Sequence, residues 1–216
     1  MRTLILDSSS IISMSLNNLL GILRLLKKKF DVKFVITPEV KKEVVDNPLE
    51  VRRFELEALM VMKLIEEKVI EISSQNIDEE TKKIYDISNS IYSAEGENLR
   101  LIHSGESSCM ALSSLIPDSV LVIDERTTRM LCESPENLRK LMKSKLHTNV
   151  SMDKKSIKIF SKFKVLRSTE LAYIALKNKL LQFPVSEEKS LDAVLFALKY
   201  KGCSISYEEI EQVKKL

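Results

Sequence analysis

Two short apolar runs end directly on an aspartate: Arg2–Leu6 runs into Asp7, and Val120–Ile123 runs into Asp124. Runs of four or five residues that are apolar at nearly every position are too short for a core helix. They fit strands buried on both faces, as in a parallel sheet covered by helices. Val32–Ile36, Val69–Ser73 and Phe163–Leu166 read the same way. Helix-length segments lie between them. Ser8–Ser10 supply a cap for a helix to about Lys29, and Thr37 caps another with Pro38 at its first position, stopping near Asn47-Pro48. Further helices are expected over Val51–Lys68, Glu79–Ala94, Ser104–Ile116 with Ser104 as cap, from Asp124 to about Cys132, and Pro135–Leu146. The tail predicts helices at Thr169–Leu181, Ser190–Tyr200 and Tyr207–Lys215. The expected fold is a three-layer α/β/α domain with a central parallel sheet of about five strands and a helical C-terminal extension.

Composition removes several chemistries. The 4 glycines form neither GxGxxG nor a Walker loop, and the 2 histidines exclude a multi-histidine centre. The 3 cysteines are scattered, with no CxxC, which argues against a disulfide framework or a cysteine-rich zinc site and points to a reducing, cytoplasmic setting. Cys109 sits among Ala111 and Leu112 and reads as core. The run Ile11–Leu26 is interrupted by Ser13, Ser15, Asn17, Asn18 and Arg24, so a buried amphipathic helix is expected there rather than a signal peptide or membrane span.

Charge is distributed unevenly. The whole chain carries +3, but Glu39–Glu97 holds 15 acidic and 8 basic residues. Asn137–Ser168 holds 10 basic residues against Asp153 alone. A stretch this basic is either a solvated face or a footprint for a polyanion, with Lys154, Lys155 and Lys158 at its centre. Phe160 and Phe163 interleave with its lysines. Phe163 opens an apolar strand and belongs to the core, whereas Phe160 is open to either core packing or base stacking.

In open parallel sheets, ligands bind beyond the carboxyl ends of the strands. If the two Asp-terminated strands are neighbours, Asp7 and Asp124 project into one crevice. Glu106, in the first turn of the helix before the Asp124 strand, and Glu43, on the helix after Val32–Ile36, are placed to join them. Other glutamates on those helices, Glu39 among them, read as ordinary surface residues. Four converging carboxylates require neutralisation, and a hard divalent cation bound through oxygen provides it. Such a site polarises a phosphoryl oxygen and acidifies a bound water, which is the chemistry of phosphodiester cleavage.

The motif order LILDSSSII, TPEVKKEVVD, SGESSCMALS and VLVIDERTTRML resembles the PIN-domain family, a metal-dependent ribonuclease fold. The resemblance covers about Arg2–Cys132 and resumes from Phe163. It implies a catalytic core over residues 1–133, a basic insertion over 134–162, and a last strand with C-terminal helices over 163–216. It also implies that Asp7, Glu43, Glu106 and Asp124 hold Mg²⁺ or Mn²⁺, with Ser9 and Glu125 supporting them. Arg126 and Arg129, on the helix after Asp124, are candidate phosphate contacts together with Lys154, Lys155 and Lys158. The implied activity is endonucleolytic hydrolysis of RNA, leaving a 5′-phosphate and a 3′-hydroxyl, in a homodimer and away from membranes. Two other roles fit the resemblance: a non-catalytic RNA-binding scaffold in an RNA-processing assembly, and the toxin of a toxin–antitoxin pair with an antitoxin partner. The chain departs from the family pattern in three ways. Its third acid is Glu rather than Asp, the stretch after Asp124 is long, and Glu125 follows Asp124. Strand-end geometry favours Asp124 over Glu125 as the residue facing the cation.

Overall fold

The computed structural model describes residues 1–215. Five strands form the central parallel sheet: β1 (Arg2–Leu6), β2 (Val32–Ile36), β3 (Ile70–Ile72), β6 (Val120–Val122) and β8 (Val165–Leu166), in the order β3-β2-β1-β6-β8. β1 is central, with Leu4 opposite Phe34 on one side and Val120 on the other. The chain winds outward from β1 through β2 and β3, then returns to lay β6 and β8 on its other edge. The point where the order reverses therefore lies between β1 and β6, and a parallel sheet opens a crevice there. Ile5, Leu6, Phe34, Ile36, Leu121 and Val122 are fully buried, as the apolar runs require.

Helices cover the sheet on both faces in a three-layer α/β/α arrangement. The expected helix Ser8–Lys29 is two helices, α1 (Ser8–Leu16) and α2 (Gly21–Lys29), meeting at 111°. Asn18, in a left-handed conformation (φ 55°), makes the break, and asparagine tolerates that conformation better than most residues. The cap of α1 is Asp7 rather than the serines after it, because the Asp7 carboxylate accepts from the Ser9 N–H. The helix opened by Thr37 ends close to Asn47-Pro48, as expected. It passes from α3 (Pro38–Lys41) through a π-helical stretch, Lys42–Asp46, into α4 (Asn47–Leu49). α5 (Glu55–Glu66) leads to β3.

The expected helix Glu79–Ala94 is shorter. α6 spans Asp78–Ser88, and β4 (Tyr92–Ala94) then turns into β5 (Glu97–Asn98) through Glu95 and Gly96, both at positive φ. That two-residue hairpin turn is favoured because its twist matches that of the strands. α7 (Ser104–Leu115) precedes β6, and its N-cap is His103 rather than Ser104.

The basic segment is folded against the domain. α8 (Arg126–Glu133) and α9 (Pro135–Leu146) lead to β7 (Val150–Met152), which pairs antiparallel with β4 to complete a second sheet, β5-β4-β7. A 3₁₀ helix, Ser156–Lys162, then enters β8. Tyr92 ties this unit together, fully buried with its hydroxyl donating to the Pro135 carbonyl. α10 (Ser168–Lys177), α11 (Glu187–Tyr200) and α12 (Tyr207–Val213) complete the fold. The three cysteines are buried and free. Among the described residues no single helix is long and apolar enough to cross a membrane.

Phe160 is fully buried and tilted against Phe163, 6.2 Å between ring centroids, so neither ring stacks on a base. Phe160→Ala is expected to destabilise the protein by about 3–5 kcal/mol, the range for emptying a large aromatic site. Urea unfolding measures it; a loss under 1 kcal/mol would return Phe160 to the surface.

Candidate active site

Asp7 follows the last residue of the central strand, so its side chain stands at the crevice where the strand order reverses. It is almost completely buried. One carboxylate oxygen, Oδ2, accepts from the Ser9 N–H at 3.1 Å and from the Ser9 hydroxyl. The other, Oδ1, is buried with no hydrogen-bond partner. A buried, unpartnered carboxylate oxygen is costly, and such an atom calls for an explanation. Burial, followed by the charge of Glu106 and more weakly that of Glu43, lifts the Asp7 carboxyl to about 7, against the lowering effect of the Ser9 hydrogen bonds.

Two elements bring those glutamates in. Glu106 is in the first turn of α7, where its Oε2 accepts from the His103 N–H and helps satisfy the free end of the helix. Its carboxyl is raised chiefly by burial, with Glu125 and Glu43 adding to the effect. Glu43 stands on the π-helical stretch, a distortion that recurs at functional sites because it re-aims side chains. Its carboxylate occupies space that a side chain at residue 105 would need: a Cβ on Gly105 would lie 2.7 Å from Glu43 Oε1. Gly105 therefore lets the two helices close, and a side-chain latch holds them. Thr37 Oγ1 caps α3 and lies 2.7 Å from Ser108 Oγ on α7.

Sequence reasoning set Glu39 aside as a surface residue. Its Oε2 is buried without a partner. The buried thiol of Cys109 is held well above its ordinary pKa by burial and by the charges of Asp7, Glu106, Glu43 and Glu39. The charges of these four acids thus all reach one buried thiol beneath β1. The available signal was spacing: Glu39 and Glu43 are four residues apart and share a helix face.

Asp124 is placed differently from the expectation. It is fully buried, but its Oδ1 accepts from the Ser168 N–H at 2.8 Å and its Oδ2 from the Ser168 hydroxyl, so both oxygens face the start of α10. Burial raises its carboxyl, while hydrogen bonding from Ser13, Ser168 and Cys203 acts to lower it. A short β8 beside β6 brings Ser168 within reach, and that pairing was invisible in the sequence. Glu125 is the acid of this turn that adds its charge to Glu106, and its carboxylate also caps α8 through the Thr127 and Thr128 N–H groups.

Ser9 joins the two strand ends. Its hydroxyl donates to Asp7 and accepts from the Asp124 N–H at 3.0 Å and the Glu125 N–H at 3.3 Å. Arg126 is exposed beside this turn. Arg129 is not a surface phosphate contact. It is buried, with its guanidinium donating to Glu209 Oε1 at 2.7 Å and to the Ser204 carbonyl at 3.0 Å. Lys154, Lys155 and Lys158 are exposed, and among the described residues no ion pair engages them.

The acids share one electrostatic field without closing into a ready-made cage. Among the described residues, no group of three or more His, Cys, Asp or Glu is placed to hold a metal ion. The donor chemistry nonetheless suits a hard divalent cation at Asp7, Glu43 and Glu106: all donors are oxygen, Asp7 Oδ1 is unpartnered, and the charges of Glu106 and Glu43 push the Asp7 carboxyl up. Asp124 differs from these three in that each of its oxygens already accepts one hydrogen bond from Ser168, which leaves one acceptor site on each. The chain matches no family model, no curated protein and no solved structure.

The Asp7 shift has a definite sign. Between 3.8 and about 7 the folded chain keeps a proton that the unfolded chain has lost, so stability falls as pH rises through that window and levels off above it. At one pH unit per roughly 1.4 kcal/mol, the penalty at pH 8 is on the order of 4 kcal/mol. Asp7→Asn keeps an acceptor for Ser9 and removes the charge. In chelating buffer it is expected to be the more stable protein at pH 8, with the difference closing toward pH 4. Urea melts at the two pH values measure this; equal differences at both would assign the effect to packing.

Proposed function

We propose that this protein is a metal-dependent endoribonuclease that hydrolyses RNA phosphodiester bonds at the crevice between β1 and β6. The observation that carries the reading is Asp7: a buried carboxylate at the point of strand reversal, one oxygen unpartnered, in the field of Glu43 and Glu106. Active sites are where burial and like charges are arranged to shift a carboxyl this far. A Mg²⁺ or Mn²⁺ ion held by Asp7, Glu43 and Glu106 would supply Lewis-acid polarisation of a phosphoryl oxygen and acidify a water.

The chain's own groups supply the rest. Ser9 fixes the orientation of the Asp7 carboxylate and anchors it to the Asp124–Glu125 turn. The start of α7 directs its helix dipole at the acids, which favours negative charge there. Glu125 holds the start of α8, which carries Arg126 at the edge of the crevice. RNA is a polyanion and the site is acidic, so attraction must come from elsewhere. The free lysines Lys154, Lys155 and Lys158 supply it without reading bases.

Asp7→Asn is expected to lower Mn²⁺-dependent cleavage of RNA at least a hundredfold, about 3 kcal/mol of transition-state stabilisation. Combining it with Glu106→Gln should cost little more than either change alone, because a single broken site cannot be broken twice. Wild-type rates in purified Asp7→Asn protein would overturn the assignment, and absent Mn²⁺ binding in the wild type would leave the scaffold role. Separately, replacing Lys154, Lys155 and Lys158 with Glu should weaken binding to RNA of every sequence. It should also flatten the salt dependence by roughly 0.7 per lost phosphate contact on single strands, with Mn²⁺ affinity unchanged. Unaltered RNA affinity at low salt would make the segment a solubilising surface.

A further inference from the structure

Glu43 has a second role. Besides facing Asp7 and Glu106, it forms one wall of a groove of about 300 Å³ between α1, the π-helical stretch and α5. The groove is mostly apolar, walled by Ile12, Leu16, Val44 and Phe54. Ile12, Leu16 and Phe54 keep 44%, 42% and 42% of their surface exposed, a concentration of apolar area that a soluble protein rarely leaves without a use. The Arg53 guanidinium lies over the Phe54 ring, 5.4 Å from its centroid.

Two polar groups interrupt this apolar lining. Ser15 Oγ and Glu57 Oε2, on residues that line the groove, are buried with no hydrogen-bond partner. An apolar cleft of this size with a few convergent polar atoms is the usual form of a small-ligand site. An aromatic ring backed by an arginine suits a flat π-system joined to a phosphate. A carboxylate only accepts hydrogen bonds, so it selects for ligands with N–H donors.

We propose that this groove is a nucleobase subsite of the crevice: Phe54 stacks on a base next to the scissile phosphate, and Glu57, assisted by Ser15, reads that base through its N–H donors. The choice of a base as ligand rests on the RNA hydrolysis proposed above. Guanine presents two adjacent donors, N1–H and the N2 amino group, to a carboxylate. Adenine and cytosine present one amino group, and uracil flanks its single N–H with two carbonyl oxygens that repel the carboxylate. The subsite therefore ranks guanine first and uracil last. Glu57 and Phe54 are specificity-determining residues here and leave the chemistry to the acids.

The chain contains no tryptophan, so Phe54→Trp introduces a single tryptophan at the groove, which can be excited selectively over the tyrosines. The probes are four pentaribonucleotides, UUXUU with X each base in turn, added in chelating buffer so that nothing is cleaved. Saturable quenching is expected, about tenfold tighter for UUGUU than for UUUUU, and Glu57→Gln in the same background should abolish that preference. Equal affinity for all four, or no quenching by any, would overturn the subsite. So would a fluorescence change that tracks protein concentration while light scattering reports a doubled mass, since a second copy would then fill the groove. Base preference in a protein that cleaves no RNA would sustain the subsite and refute hydrolysis; cleavage with no base preference would do the reverse.

Discussion

One hydroxyl joins the two halves of the crevice. Ser9 Oγ uses its single donor on the Asp7 carboxylate and its acceptor capacity on the backbone N–H groups of Asp124 and Glu125. This small set of bonds sits where β1 and β6 part at their carboxyl ends, and the ladder ends there with the Ile123 N–H donating to the Leu166 carbonyl, so the Asp124 and Glu125 amides beyond it need another acceptor. Without it the turn after β6 would carry unsatisfied amides, and the Asp7 side chain would be free to rotate. The orientation of the buried acid and the exit path of the chain from β6 are therefore set by the same three hydrogen bonds.

The crevice stores electrostatic tension. The charges of Asp7, Glu43, Glu106 and Glu39 all act on the buried thiol of Cys109, and among the described residues no lysine or arginine is bonded to any of the first three. Elsewhere the protein settles its charges differently. Glu209 takes hydrogen bonds from both Arg129 and Arg167; burial alone would raise its carboxyl, but those arginines and the Ser206 N–H hold it at about 2. The contrast is informative because both sites lie near the same end of the sheet. The chain neutralises acid where it braces α8 against α12, and leaves acid unneutralised at the crevice. Buried carboxylates are normally paired, and this unpaired set is the observation on which the proposed function rests.

The basic segment supports the domain in an unexpected way. Its apolar residues, Leu138, Met142, Val150 and Phe160, are buried, and β7 gives β4 its second neighbour. The lysines of the 3₁₀ helix and the turn before it then point outward by default. The segment combines a structural face with a free cationic face, and its length reflects the extra sheet it builds.

Much of the architecture was legible in local patterns. The strands β1, β2 and β6 were plain as short apolar runs, and Thr37-Pro38 announced its helix through cap chemistry. Asp7, Glu43 and Glu106 were legible as acids because each sits at a strand end or on a helix next to one. What the local pattern could not supply was partnership across the chain. Tyr92–Ala94 reads as a helix end until Val150–Met152, some sixty residues later, offers it a strand to pair with. Arg129 reads as a surface cation until Glu209 reaches it, and Asp124 as a free carboxylate until Ser168 donates one hydrogen bond to each of its oxygens. Glu39 looked solvated because a side chain's exposure is set by what packs over it, and in the fold one of its carboxylate oxygens is buried. Residue type and spacing thus determined the sheet, its order of elements and the supply of acids. Only the tertiary structure decided which acids remain unpartnered, since a hydrogen bond depends on distance in space and local periodicity carries none of that information.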